Sequence, residues 1–210
     1  MPRKSARPRG DAAPAPSAPF RLGAVPGATP GKWIDTWRER RTNPIELVPI
    51  SAATQRDSLN EVDAALVRLP IDREGLHVIP LYDELPVVVF AADSHLGAAD
   101  ELEASDLAGE VVITPVDDVL GMPPPPDTRT PAFAAPATTD EAIATAASGV
   151  GVVVVPMSLA RAHHRRDAAY RPLRDGPVSS VALAWIADRT TPDVEAFVGI
   201  VRGRTANSSR

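Results

Sequence analysis

The sequence predicts an α/β fold, and three observations lead to this prediction. Short runs rich in β-branched residues alternate with segments of helical spacing, in the order strand, helix, strand, helix, strand over residues 20–68. That order is typical of a parallel sheet with right-handed crossovers. Hydrophobic residues make up 44% of the 210 residues and charged residues 23%, as in soluble proteins with a buried core. This length fits one α/β domain or two small lobes that share a hinge.

The first half of the chain contains most of the predicted strands. A strand begins at Phe20 and leads into a Pro26-Gly27-Ala28 turn, after which Thr29 is a candidate N-cap and Pro30 a first-turn proline. This helix is expected to run to about Arg41. A second helix is expected at 54–62. Further strands are predicted at 45–50, 63–68, 76–82 and 85–91.

The second half begins with a short helix at 104–108 and a strand at 111–114, and then has a long loop. This loop, residues 115–137, contains four consecutive prolines, and loops of such length usually indicate function or disorder. Thr138 and Glu141 have the spacing of a capping box, which predicts a helix to Ser148. The remaining predictions are strands at 151–155, 170–173 and 178–186, and helices at 158–166 and from 192 onward.

The two ends of the chain differ in composition from its middle. Residues 1–18 are rich in Pro, Ala and Arg and predict a disordered basic arm, favoured as a solubilising tail over a nucleic-acid or partner-binding arm. Residues 204–210 predict a frayed tail. Four basic residues and one acidic residue give the arm a charge of +3. Because the net charge of the whole chain is −5, the rest of the chain carries −8. An acidic body is a poor surface for a phosphate backbone, so we expect no direct sequence-specific DNA binding.

Several classes of protein are excluded by what the sequence lacks. It has no cysteine, which excludes disulfides and thiol chemistry. The adjacent His163 and His164 point apart on a helix and do not form a metal pair. No phosphate-binding loop, dinucleotide fingerprint or nucleophile elbow is present, so we expect no enzyme, cofactor or metal. No apolar run suits a membrane span or a secretory signal, so we expect a cytoplasmic protein without a membrane partner.

The order of several segments resembles one known family. The segments that carry the resemblance are the opening strand with its turn, 63–68, 80–82, 86–90, 93–96, Leu107, Val111, 139–141, 146–152 and 155–156. In this order and spacing they resemble the effector-binding domain of LysR-type transcriptional regulators over about residues 20–202. The helix-turn-helix of that family has no counterpart in this sequence.

The resemblance implies a type 2 periplasmic-binding-protein fold. Two Rossmann-like lobes with mixed sheets would be joined by two crossover strands and would enclose a ligand cleft. The first lobe would comprise 19–86 with 180–203, and the second 87–179. The crossings would lie at about 85–90 and 172–180.

The cleft of such a fold lies at the carboxyl ends of the parallel strands. Two helix N-termini would face it, which would favour an anion such as a carboxylate, and an arginine at a strand exit would pair with that anion. The predicted ligand-binding residues are Thr29, Pro30, Gly31, Arg68, Thr114, Thr138 and Thr139.

Each of these residues also has a purely structural interpretation. The threonines would be helix caps only, and Arg68 would form a surface ion pair with Asp72 or Glu74. Trp33 and Trp37 are predicted to be packing or dimer-contact residues. The resemblance supports the dimer role, because the family pairs this first helix with the helix at about 157–166, side by side and antiparallel. Arg161 would then also lie in the dimer interface.

The leading hypothesis is therefore a small-molecule sensor that takes part in transcription regulation. Its partners would be a small-molecule effector, a second copy of the chain, or a full-length LysR-type regulator in a heterodimer. A solute-binding protein, an enzyme on the same fold, a ligand-free dimerisation module and DNA binding through the arm are the alternatives.

Overall fold

The computed structural model describes residues 18–203. The predicted basic arm, apart from its last residue, and the predicted frayed tail therefore lie outside the described residues. Within 18–203, no helix has the length and apolar character needed to cross a bilayer.

The first sheet is built mainly from the amino-terminal half of the chain. It contains strands β1 (Phe20–Ala24), β2 (Ile45–Pro49), β3 (Ala64–Arg68), β4 (Leu76–Glu84) and β9 (Ser179–Ile186), in the order β2-β1-β3-β9-β4. Strands β1, β2 and β3 are parallel, whereas β9 is antiparallel to both β3 and β4. This sheet carries helices α1 (Gly31–Arg40), α2 (Gln55–Ser58) and α5 (Pro192–Val201).

The second sheet is built from the middle of the chain. It contains β5 (Pro86–Ala91), β6 (Val112–Ile113), β7 (Val152–Pro156) and β8 (Ala168–Pro172), in the order β6-β7-β5-β8, and carries helices α3 (Thr139–Ala147) and α4 (Met157–Ala162). Short 3₁₀ turns occupy 95–98, 104–107 and 187–189.

The chain passes from the first sheet to the second between β4 and β5, and returns between β8 and β9. The predicted two-lobe α/β fold with mixed sheets is thus confirmed. The exact residue limits of the lobes stay a prediction.

Each sheet is covered by apolar side chains on both faces. In the first lobe, Phe20, Trp37 and Phe197 pack between the sheet and helices α1 and α5, while Leu59 and Val62 cover the opposite face. The second lobe has the same arrangement, with one cluster under α3 and α4 and another under the 3₁₀ turns. The central strands β3, β5 and β7 are buried along their whole length, as expected of strands covered on two faces.

Two predicted helices are shorter than expected. The helix predicted at 54–62 ends at Ser58, and the carbonyl oxygens of Leu59 and Asn60 accept hydrogen bonds from the guanidinium of Arg189 instead. The helix predicted at 158–166 ends at Ala162. The first end depends on a distant partner and the second on local backbone geometry, neither of which sequence periodicity reports.

Candidate functional site

A cavity of about 710 Å³ lies between the two lobes. From the first lobe it receives the residues that follow β1, β2 and β3, which is the sheet edge predicted for the cleft. From the second lobe it receives the loop after β6, the start of α3, and Leu159 and His163 in and just after α4. The lining residues are Pro26, Ser51–Ala53, Gln55, Arg68–Pro70, Val116–Val119, Thr138–Asp140, Leu159 and His163.

The amino-terminal turn of α3 forms one wall of the cavity. Thr138 is its N-cap, as predicted, and its Oγ1 accepts a hydrogen bond from the backbone N–H of Glu141 at 3.2 Å. Thr139 is buried, and its hydroxyl donates to Asp117 Oδ1 at 2.9 Å. The structure therefore brings both predicted threonines to the cavity, where each already has a partner within the protein.

Three carboxylates line the same wall. Asp117 holds Thr139, and Asp118 accepts the backbone N–H groups of Leu120 and Gly121 at 3.0 and 2.9 Å. Asp140 Oδ1 lies 3.2 Å from His163 Nδ1 on α4. The loop of unusual length thus contributes acidic groups to the cavity.

Arg68 lies at the end of β3 and is 3% exposed. Its guanidinium forms an ion pair with Glu84 at 3.0 Å, an interaction neither at the surface nor with the predicted partners Asp72 or Glu74. That surface alternative is therefore wrong. Arg68 also donates to Ser179 Oγ at 2.6 Å and to Pro26 O at 3.0 Å, while its Nε is buried with no partner among the described residues.

A serine of the second lobe is hydrogen-bonded to this ion pair of the first lobe. Ser158, on α4 of the second lobe, donates its hydroxyl to Glu84 Oε2 at 2.8 Å and accepts from Arg68 Nη2 at 3.3 Å. Gly27 permits this approach, because its φ of 84° suits glycine and a Cβ there would collide with Ser158 Oγ and Arg68 Nη2. We infer that the ion pair holds the relative position of the lobes at their hinge.

Thr29, Pro30 and Gly31 do not line this cavity. The cap residue of α1 is Pro30, and no side chain caps the helix, so the prediction that Thr29 is an N-cap is wrong. The physical reason is that Pro30 O already accepts from Trp33 N and Ile34 N at 2.9 and 3.0 Å, which starts the helix one residue later. Thr29 is exposed in a different groove.

Thr114 also lies away from the interlobe cavity. It is exposed and borders a small pocket under the proline-rich loop, together with Met122 and Pro123. Strand β6 ends at Ile113, one residue earlier than predicted, so Thr114 belongs to the loop.

Several residues of the site were not predicted from the sequence. Gln55 is buried and binds both the carbonyl and the N–H of Arg68, at 2.9 and 2.8 Å. Glu84 and Ser158 gave no signal, because their partner is remote in sequence. Asp117 had one usable signal in the sequence, which is its position in the long loop at 115–137.

A second groove, of about 660 Å³, lies on the other side of the Arg68–Glu84 pair. It places Thr29 beside Arg161 of α4 and the exposed Leu85 of the β4–β5 crossing. Trp33 is half-buried against the nearby core. Trp37, in contrast, is 0% exposed and cannot contact a partner, so its predicted dimer role is wrong and its packing role holds.

The phenol of Tyr82 gives a spectroscopic probe near this groove. Burial is the main cause that raises the pKa of Tyr82, and the nearby carboxylate of Glu84 raises the pKa further. The phenol of the folded protein should therefore stay protonated where the unfolded chain ionises, so this contribution to stability is present at neutral pH and lost in strong alkali.

The chain has two tyrosines, so Tyr170→Phe isolates the titration of Tyr82. We expect its near-ultraviolet phenolate signal to appear above the ordinary tyrosine pKa in the folded protein and at the ordinary value in urea. Equal midpoints in the two states would contradict the placement of Tyr82 beside Glu84.

The residues 18–203 contain no group of three or more His, Asp or Glu side chains arranged to hold a metal ion. The cavity is lined by carboxylates, other hydrogen-bonding groups and apolar side chains, which suits recognition of a small organic molecule.

Comparison with known proteins agrees with this arrangement. A model of the LysR substrate binding domain family matches residues 15–206. A search of curated proteins finds no match.

Solved structures are similar in fold at low sequence identity. The BenM effector binding domain with its effector benzoate is 19% identical with a TM-score of 0.71, covering 92% of this chain and 97% of that chain. A variant OxyR regulatory domain from Pseudomonas aeruginosa is 24% identical with a TM-score of 0.66, covering 92% and 100%. A full-length OxyR variant from the same organism is 21% identical with a TM-score of 0.64, covering 90% of this chain and 69% of that chain.

Proposed function

Because the chain belongs to the LysR substrate-binding-domain family, we propose that it senses a small molecule in the interlobe cavity and takes part in transcription regulation. The single observation that supports this most is the cavity of about 710 Å³, whose walls come from both lobes. That volume lies in the range of about 300–1,000 Å³ that small-molecule sites occupy.

A ligand in this cavity would contact elements that move relative to one another. Leu69 and Pro70 belong to the first lobe, whereas Val119 and Leu159 belong to the second. A molecule that contacts both sets favours the closed arrangement of the lobes over an open one. Ligand binding would thus shift the hinge at which Arg68 and Glu84 lie.

A thermal-shift screen against small carboxylates, amino acids, aromatic acids and the corresponding amines tests this proposal. A ligand at 100 times its Kd should stabilise the fold by about 2.7 kcal/mol, which is readily visible as a rise in Tm. Failure of every compound class to raise the Tm would count against an effector-binding function and favour a ligand-free dimerisation module.

We also propose that the second groove is where the domain pairs with a second copy or with a full-length regulator of the same family. Arg161 on α4 and Leu85 at the crossing line this groove, and Trp33 on α1 follows the lining residue Thr29 by four positions. Leu85 is 56% exposed, and an exposed apolar side chain beside a groove is typical of an interface. The family resemblance supports pairing of α1 with α4.

Leu85→Asp tests the interface. A charge buried there should weaken self-association about tenfold or more, measured by sedimentation equilibrium, because the interface would lose an apolar contact and would have to desolvate a carboxylate. Val150→Asp is the matched control, since Val150 is similarly exposed at the far end of the second lobe. Equal association of the two variants would show that the dimer forms elsewhere.

The alternative functions differ in what they require. A solute-binding protein would need export, whereas a domain that takes part in transcription regulation acts where the DNA is, and we therefore propose a cytoplasmic location. Binding to DNA would show a steep salt dependence, which the acidic charge of the body does not favour. The neighbours with solved structures are regulatory domains, and we propose ligand binding rather than catalysis as the role of the cavity.

A further inference from the structure

We propose that the ligand of the interlobe cavity carries a positively charged group, such as an amine or guanidine, next to an apolar body. This inference rests on the proposed function, because it names the ligand class of the same cavity. The cavity between the lobes defines the site, and the charged groups on its walls define what the site accepts.

The charges on the cavity walls are predominantly negative. Asp117, Asp118 and Asp140 line it, and within residues 18–203 the only cationic groups on the lining are Arg68 and His163. Arg68 is neutralised by Glu84 at 3.0 Å, in a pair whose two side chains are 3% and 9% exposed. Even a fully protonated His163 leaves the walls negative.

The groups that a ligand carboxylate would need are either engaged or buried. The hydroxyl of Thr139 donates to Asp117 at 2.9 Å, and the terminal nitrogens of Arg68 donate to Glu84, Ser179 and Pro26. The Nε of Arg68 has no partner among the described residues, but it is buried and out of reach of a ligand. A carboxylate bound here would have to displace these internal acceptors. It would also lie among three like charges, which disfavours binding.

The helix N-terminus in the cavity does not restore an anion site. Asp140 and Glu141 occupy the first turn of α3, so the protein's own carboxylates already interact with the positive end of the helix dipole. Glu141 Oε2 in addition accepts the backbone N–H of Ala137 at 2.8 Å. The carboxylate ligand expected from the sequence is therefore disfavoured by the side chains that follow Thr139.

Acceptor capacity, in contrast, is available for a cation. An ionised carboxylate offers about four lone-pair sites. Asp117 Oδ1 receives one donor from Thr139, and Asp140 Oδ1 faces His163 Nδ1 at 3.2 Å. Both side chains are exposed towards solvent, so a ligand ammonium can reach them without unfolding the wall.

The rest of the lining suits an apolar body. Pro26, Ala52, Leu69 and Pro70 contribute from the first lobe, and Val119 and Leu159 from the second. These side chains surround the acidic wall and present no further charge. The arrangement thus matches a molecule with an aromatic or aliphatic skeleton and one cationic end.

Two series of compounds test the proposal, and within each series the skeleton is kept while the charge changes from positive to neutral to negative. One series is benzylamine, benzamide and benzoate, and the other is pentylamine, pentanamide and pentanoate. Calorimetric titration of the full chain should show the amine as the tightest binder of each skeleton that binds, by about tenfold over the carboxylate. Tighter binding of the carboxylate would overturn the charge assignment and leave the effector function standing. Binding of neither series would overturn this proposal and count against the cavity as an effector site.

The double variant Asp117→Asn and Asp140→Asn provides the second arm. Asparagine keeps the size and an acceptor oxygen but removes the charge, so amine affinity should fall about tenfold and the preference over the carboxylate should shrink. Asp93→Asn with Asp100→Asn is the control, because these exposed acids lie outside the cavity and change the net charge equally. If both double variants bind the amine as tightly as the wild type does, the proposal is wrong.

Discussion

Replacing Arg68 by methionine is expected to lower the free energy of unfolding by about 3–5 kcal/mol, as removal of one member of a buried ion pair does. The side chain of Glu84 is only 9% exposed. Without the guanidinium it would keep the hydroxyl of Ser158 as a partner but lose the opposite charge. The change also removes the donors to Ser179 and Pro26.

Urea unfolding followed by circular dichroism measures this effect. The double variant Arg68→Met with Glu84→Met is the matched control, because removing both charges avoids an unpaired ion and should be less destabilising than the single change. A single variant as stable as the wild type would mean that the pair is not buried as described. That result would also remove the basis for the hinge role of these residues.

Replacing Trp37 by alanine is expected to destabilise the fold by about 3–5 kcal/mol, the usual range for a buried tryptophan. Its ring stacks on Phe20 at 4.7 Å between centroids and lies 6.0 Å from Phe197. Its Nε1 donates to the carbonyl of Asn43 at 3.0 Å, which ties α1 to the chain that precedes β2. The change therefore leaves both a cavity and an unpaired carbonyl oxygen.

The control for this prediction is Trp33→Ala, four residues earlier on the same helix. Trp33 is only half-buried, so its loss should cost about 1–2 kcal/mol in unfolding free energy. If Trp33 lies in the interface, its variant should weaken self-association, whereas the Trp37 variant should not do so directly. Equal loss of stability in the two variants would contradict the different burial of the two rings.

Most strands and helices of the fold could be predicted from local sequence patterns. The apolar runs at β3, β5 and β7 are buried on both faces, and Thr138 caps the helix at which it was expected. These features depend on neighbours within a few residues, which a sequence displays directly. The two-lobe arrangement, however, was predicted from the family resemblance, because the spacing of residues within a strand does not indicate which strands pair.

The site was harder to predict because its contacts are long-range. Arg68 was correctly placed at the cavity edge, but its partners Glu84, Ser158 and Ser179 are 16 to 111 residues away. Thr29 was expected in the cleft but lines the second groove. Helix α1 also begins one residue later than predicted. The acidic character of the cavity arises from Asp117, Asp118 and Asp140, which meet only when the long loop folds against α3.

The central claim, that the interlobe cavity is the effector site, is tested by calorimetric titration of the variant Ala53→Trp. The titrant is the ligand that stabilises the wild-type protein most in the thermal-shift screen. Ala53 is exposed and lines the cavity, so an indole there should obstruct the ligand without disturbing the core. Ala162→Trp is the control, because Ala162 is equally exposed but lines the second groove. We predict that Ala53→Trp abolishes binding and that Ala162→Trp leaves it unchanged. Undiminished binding to Ala53→Trp, or loss in Ala162→Trp alone, would place the effector outside the interlobe cavity.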